Sequence, residues 1–134
     1  MPRMLTGGCI CGAVEFTVPD SFQTFKLCHC DFCKKASGGS NVANLFGDPD
    51  WLTWTKGADQ LTSHDVQNSL VRRVFCKTCG TSLPFIAQNG AILVVPTGAL
   101  NTQPSIAPQE VVFWDKRAHW VDQALDLMTK QPRT

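Results

Sequence analysis

Seven cysteines in three tight clusters constrain this chain more than anything else in its sequence. They stand as Cys9-Ile10-Cys11, Cys28-His29-Cys30-Asp31-Phe32-Cys33 and Cys76-Lys77-Thr78-Cys79. A C-x-C pair is too close for an unstrained disulfide between its own members, but it can bring two thiolates to one metal ion. A C-x-x-C pair alone could be a redox pair; beside the other clusters it reads as half of a metal site. Seven is also odd, so a disulfide framework would leave one thiol over.

The residue after each pair divides the ligands. Cys11 is followed by Gly12 and Cys79 by Gly80, whereas Cys33 is followed by Lys34-Lys35. A metal knuckle turns sharply after its second ligand and aims backbone N–H groups at the sulfurs, which favours a residue tolerant of positive φ. Cys9, Cys11, Cys76 and Cys79 are therefore expected to form one closed structural zinc site. Its two halves lie far apart in the chain, so the metal would contribute folding free energy by tying them together.

That division leaves Cys28, Cys30 and Cys33 one ligand short of a closed tetrahedral site. They could be three buried thiols, or His29 or Asp31 could complete the set. In an extended segment, however, the His29 ring would point away from both flanking thiols; Asp31 could reach if the chain turns after Cys30. The remaining reading is a second zinc with an open or exchangeable position, as catalytic zinc has. Three thiolates make zinc a weak Lewis acid, poorly suited to producing hydroxide and better suited to receiving an incoming thiol as thiolate. Lys34, Lys35, Arg72, Arg73 and Lys77 could offset the thiolate charge, bind carboxylates of an anionic thiol, or simply form a solvated basic face. No general base is forced; His29, Asp31 and His64 are candidates, while His64 and His119 are isolated in sequence and suit a surface or hydrogen-bonded role.

The rest of the chain reads as a β-rich scaffold. Val14, Phe16 and Val18 alternate with Glu15 and Thr17, as on a half-buried strand. Further strands are expected at Phe22–Leu27, Asn41–Phe46, Leu52–Lys56, Leu70–Phe75, Ser82–Ala87, Ala91–Val95 and Val111–Trp114. Asn89-Gly90 between two apolar runs signals a hairpin, and Asn101–Gln109, with Pro104 and Pro108, is expected to be a loop. Ala118, Val121, Leu125 and Met128 recur at helical spacing and predict a short amphipathic helix packed on the core and ending before Pro132. At 134 residues, 43% hydrophobic, the chain is expected to form one domain, 1–134, with a real core.

A net charge of +1 and the absence of a basic tail give no field for nucleic acid or an anionic membrane, so neither is expected as a partner. The opening MPRMLTGGCI has no apolar stretch of signal-peptide length, and the longest apolar run, AILVVP at Ala91 to Pro96, is strand-sized. Unpaired cysteines in such a chain suggest the cytoplasm.

Three stretches, GGCICGAVEF at 7–16, LCHCDFCKKASGG at 27–39 and FCKTCGTSLPF at 75–85, resemble the glutathione-dependent formaldehyde-activating enzyme family, which includes the domain of centromere protein V. The likeness runs from about Leu5 through the Trp114–Trp120 region. It implies a mainly β, Mss4-like (β-tent) zinc-bound fold of short antiparallel sheets with a short C-terminal helix. It also implies two zinc ions per chain: a structural one on Cys9, Cys11, Cys76 and Cys79, and a catalytic one on Cys28, Cys30 and Cys33. The implied reaction is reversible addition of glutathione to formaldehyde, carbon–sulfur lyase chemistry of the S-(hydroxymethyl)glutathione synthase type. The chain departs from common family residues at Glu15, Phe16, Lys34 and Glu110 and has no tyrosine, positions that bear on the choice of small thiol and small aldehyde and not on the metal ligands. The alternative is a non-catalytic zinc-stabilised binding module, with both metals structural.

Overall fold

Val14, Phe16 and Val18 are all fully buried, as their alternation requires. The computed structural model describes residues 2–130. In chain order its first elements are β1 (Met4–Gly8), β2 (Glu15–Pro19), β3 (Thr24–Cys28), α1 (Asp31–Ser37), β4 (Val42–Gly47) and β5 (Thr53–Lys56). There follow β6 (Leu61–Asp65), β7 (Arg72–Cys76), β8 (Ser82–Leu83), β9 (Phe85–Ile86), β10 (Leu93–Pro96), β11 (Glu110–Val112) and α2 (Val121–Lys130). The strands form three short sheets, ordered β1-β2-β5, β11-β3-β4-β10-β9 and β6-β7-β8. The fold is thus mainly β with one short C-terminal helix, and its strand pairs are antiparallel except β11 against β3. Among the described residues, no helix is long and apolar enough to cross a membrane.

The sheets share one core. Leu5, Phe16 and Val18 from the first sheet meet Phe25, Leu45, Leu93 and Val95 from the second and Leu83 from the third. Cys76, fully buried, belongs to the same cluster, so one half of the first cysteine group is rooted in the core itself. Apolar burial at roughly 25 cal/mol per Å² makes this core the main source of cohesion among the sheets.

Several elements differ from the sequence expectation, each for a physical reason. The strand expected at Ser82–Ala87 is two strands divided at Pro84: β8 pairs with β7, while β9 pairs with β10. Proline carries no N–H for a continuing ladder, and here the chain crosses from one sheet to another. The strand expected at Val111–Trp114 ends at Val112, because Phe113 takes a left-handed conformation (φ 57°) and Trp114 begins a 3-10 turn. The hairpin at Asn89-Gly90 forms, with Gly90 N–H donating to the Ala87 carbonyl between β9 and β10. The amphipathic helix forms over Val121–Lys130, but its stripe does not pack as expected: Val121 is buried, whereas Leu125 is 45% and Met128 73% exposed. The expected stop before Pro132 lies outside the described residues.

Strands β1 and β6 and helix α1 were not foreseen. In β1, Gly7 and Gly8 look like turn residues, yet a side chain at Gly7 would run into the Phe16 ring and the Ala99 carbonyl oxygen. Glycine stands there because another part of the backbone passes close by.

Candidate functional site

The first cysteine group is assembled from two turns. Cys9 and Cys11 lie between β1 and β2; Cys76 closes β7, and Cys79 lies in the turn to β8. Gly12 and Gly80 both adopt positive φ, 80° and 77°, and each donates its N–H back to the carbonyl of its knuckle's first cysteine, Cys9 or Cys76. An L-residue with a side chain would be strained in that conformation. The Val14 N–H points at Cys9 Sγ at 3.3 Å. The four sulfurs all lie within 4.8 Å of one another, with Cys9 to Cys11 at 3.6 Å and Cys11 to Cys76 at 3.8 Å. Thiolates about 2.3 Å from a tetrahedral zinc stand about 3.8 Å apart, so these residues fit that metal.

Thr81 joins the two turns, a role the sequence did not single out. Its Oγ1 accepts the Ile10 N–H at 2.9 Å, which leaves its own hydroxyl hydrogen free to donate to Cys79 Sγ, 3.1 Å away. The Thr81 hydroxyl, then the Thr81 and Cys11 amides, hold the Cys79 thiol down at about 5. Cys9, although burial pushes it up, is kept below the ordinary thiol range by the Val14 N–H and neighbouring thiols. Both effects favour the thiolates a metal needs.

The second group is built on a strand-to-helix junction. Cys28 ends β3, Cys30 is the N-cap of α1, and Cys33 sits in its first turn. The Cys33 N–H donates to Cys30 Sγ at 3.3 Å, so a thiol occupies the place where helices usually carry a hydroxyl or carboxylate oxygen. Burial pushes Cys33 and Cys28 up, whereas Cys30, against the same burial, is brought below its ordinary value by the Cys33 N–H and the adjacent thiols. The three sulfurs lie within 4.8 Å of one another, and among the described residues no fourth His, Cys, Asp or Glu joins them. The two groups could each bind a metal ion, a donor set compatible with zinc. All seven cysteines are free thiols.

The two protein rivals for a fourth ligand are placed elsewhere. His29 is only 4% exposed and does not join the thiols; its ring lies edge-on to Trp114 at 5.1 Å, and its backbone N–H donates to the Val112 carbonyl. The Asp31 carboxylate is on the surface, paired with Lys34 at 3.1 Å. His64 is exposed on β6. None of the three suggested bases lines the cleft described next.

A cavity of about 960 Å³ opens beside Cys28, Cys30 and Cys33. One wall is α1 and β4, with Phe32, Val42 and Asn44; the other is β7, β8 and the second knuckle, with Arg73, Thr81 and Ser82. Its volume is within the range of small-molecule sites, roughly 300–1,000 Å³. The five basic residues considered from sequence separate here. Lys34 bonds Asp31 and the Lys116 carbonyl, and Arg72 bonds Asp65; of the five, Arg73 alone lines the cleft.

Comparison with known proteins agrees with this geometry. A family model described as glutathione-dependent formaldehyde-activating enzyme matches residues 4–116. A Halomonas elongata relative, provisionally named as such an enzyme, is 31% identical over 128 residues, covering 89% of this chain and 80% of its own. An uncharacterized lyase of Schizosaccharomyces pombe is 26% identical over 84 residues, and the match spans 63% of this chain and 58% of that protein. The crystal structure of a Rhodobacter sphaeroides protein shares the fold, with a TM-score of 0.62 at 23% identity, covering 80% of this chain and 99% of that one.

Proposed function

This chain belongs to the glutathione-dependent formaldehyde-activating enzyme family, and on that premise we propose that it adds a glutathione-like thiol reversibly to formaldehyde or a related small aldehyde. A carbon–sulfur bond forms at the carbonyl carbon, the carbonyl π pair moves to oxygen, and the proton given up by the thiol ends on that oxygen. The reverse reaction breaks the same bond, which makes the activity that of a carbon–sulfur lyase of the S-(hydroxymethyl)glutathione synthase type. The observation that carries this reading is a cleft with three convergent thiols at one end and no fourth protein ligand beside them among the described residues.

We assign one zinc to Cys9, Cys11, Cys76 and Cys79 as a structural ion and one to Cys28, Cys30 and Cys33 as the catalytic one. Zinc among three thiolates would supply affinity for a soft sulfur donor and favour that donor's deprotonated form. The chain's own residues do the rest. The α1 junction fixes Cys30 and Cys33 against Cys28, and Phe32, Val42 and Phe85 give the cleft an apolar lining. The cavity is large enough to hold a thiol and a small aldehyde side by side. That converts a bimolecular addition into an effectively unimolecular one, so positioning supplies much of the rate gain. The whole chain, 1–134, acts as a single domain of this family, in a reducing compartment such as the cytoplasm where its thiols stay unpaired.

Thiols add to formaldehyde without help, so the test is the excess over the spontaneous rate. The initial rate of S-(hydroxymethyl)glutathione formation should rise in proportion to added protein and saturate with glutathione. A rate equal to the spontaneous one at every protein concentration would overturn the reading.

A further inference from the structure

We infer that Arg73, with Ser82 beside it, is the specificity-determining anion seat of the cleft, so that the site selects a thiol bearing a carboxylate over a neutral one. The inference rests on the thiol–aldehyde reading above and narrows its substrate class.

Four arginines fall among the described residues. Arg3 is paired with Asp20, Arg72 with Asp65 and Arg117 with Asp122, each through its guanidinium. Arg73 has no carboxylate partner among the described residues; its one side-chain hydrogen bond there runs from Nη2 to Ser82 Oγ at 3.2 Å. It is half-buried, and most of its five donors have no protein partner among the described residues, which leaves them open to a ligand in the cleft. The cleft contains no Asp, Glu, Lys or His, so Arg73 is the sole cationic side chain among its lining residues.

The charge pattern of the cavity follows from these facts. The lining holds three thiols that would become thiolates around a metal and, from β7, a fixed cation with an adjacent hydroxyl. A ligand that places a sulfur at the thiols and a carboxylate at Arg73 satisfies both, and a cavity of about 960 Å³ has room for a molecule of tripeptide size. The planar fork of arginine matches a carboxylate in two-point geometry, which a lysine cannot reproduce. Strand geometry explains why Arg73 and not its neighbour has this role. Adjacent residues on a strand face opposite sides, and on β7 Arg72 is turned to its cross-strand partner Asp65.

The test compares glutathione with its diethyl ester, in which both carboxylates are neutral. Binding is measured by calorimetry and turnover by the rate in excess of the spontaneous reaction. The wild-type protein should bind glutathione more tightly than the ester by roughly 10- to 100-fold, the range for a hydrogen bond to a charged group. Arg73→Gln should raise Kd and KM for glutathione by about that factor, leave the ester unchanged and change kcat little. Arg73→Lys should recover part of the loss, and Arg72→Gln should behave as wild type. Equal affinity of the wild-type protein for glutathione and the ester would overturn the inference without need of any variant. So would an unchanged glutathione Kd in Arg73→Gln that keeps its metal content, or an equal loss in Arg72→Gln. Because Kd is read independently of turnover, a protein that binds glutathione through Arg73 yet accelerates no addition would overturn the proposed reaction and leave this seat standing.

Discussion

Single side chains decide how well each site is held, and some of that was visible in the sequence. The glycines after Cys11 and Cys79 indicated which two knuckles share a site, and both glycines do take positive φ. Thr81 was not visible as a contributor, because its role depends on a turn far away in sequence bringing the Ile10 N–H to its oxygen. Replacing it with valine keeps the shape and removes the hydroxyl from Cys79. Thr81→Val is expected to weaken metal binding at the four-cysteine site by roughly 10- to 100-fold, the usual cost of losing an outer partner of a ligand. Competition against a chelating dye reads this directly, and unchanged affinity would contradict it. The split between Arg72 and Arg73 was half legible: adjacent strand residues must face opposite ways, but which one faces the cleft needs the register of β7 against β6 and β8. Asp20 makes a separate prediction. The Ser105 hydroxyl, the Ser105 N–H and then Arg3 hold its carboxyl below its ordinary value of 3.8. A depressed carboxyl contributes stability that is present above the unfolded value and is lost as pH falls through it towards the lower folded one. The gap in thermal midpoint between the wild-type protein and Asp20→Asn should therefore be full near neutrality and narrow as pH falls through 4. A gap that stays constant with pH would remove this account of Asp20.

Elements were legible where their hydrophobic period was clean. The alternation at Val14–Val18 placed β2, and Asn89-Gly90 placed the β9–β10 hairpin. Where local pattern and tertiary need disagree, the sequence misleads. Strand β1 contains two glycines because β2 and the 3-10 turn at Thr97–Ala99 press against it. Helix α1 has seven residues, shorter than a periodic signal can reveal, and its N-cap is a cysteine in place of the usual Ser, Thr, Asp or Asn. That helix nevertheless has the larger functional consequence, since it brings Cys33 round to Cys28 and Cys30 while turning Asp31 outwards to Lys34. At α2 the amphipathic helix forms, but it begins at Val121, after Ala118, and Leu125 and Met128 of the stripe are exposed. Val121→Ala should cost about 1–3 kcal/mol, because that side chain is enclosed, whereas Met128→Ala should stay within about 0.5 kcal/mol. Urea midpoints on the metal-loaded protein distinguish the two, and equal losses would contradict this assignment of the helix's contacts.

At the scale of the whole molecule, the three sheets and the two cysteine groups form one arrangement. The first group ties the β1–β2 turn to the β7–β8 turn, linking the first sheet to the third across a long stretch of chain. The second group sits at the end of β3 in the five-stranded sheet and at the start of α1, and the cleft is lined from both that sheet and the third. A metal in the first group would tie down β7 and β8, which carry Arg73 and Ser82, while the sulfurs of the second group line the same cleft. The sequence could supply the seven cysteines and their grouping into two sets. It could not supply the cleft, which exists only because β7 and β8 face α1 and β4 across it. Cys28, Cys30 and Cys33 are the proposed working part of that cleft, a role that has one decisive check. It is tested most directly by measuring, on the same preparations, metal content and glutathione-dependent formaldehyde turnover for the wild-type protein and Cys30→Ala. Cys30→Ala should keep one zinc per chain, lose the other, and fall to the spontaneous rate while remaining folded. A folded Cys30→Ala protein that has lost the second zinc and still turns over at the wild-type rate would contradict it.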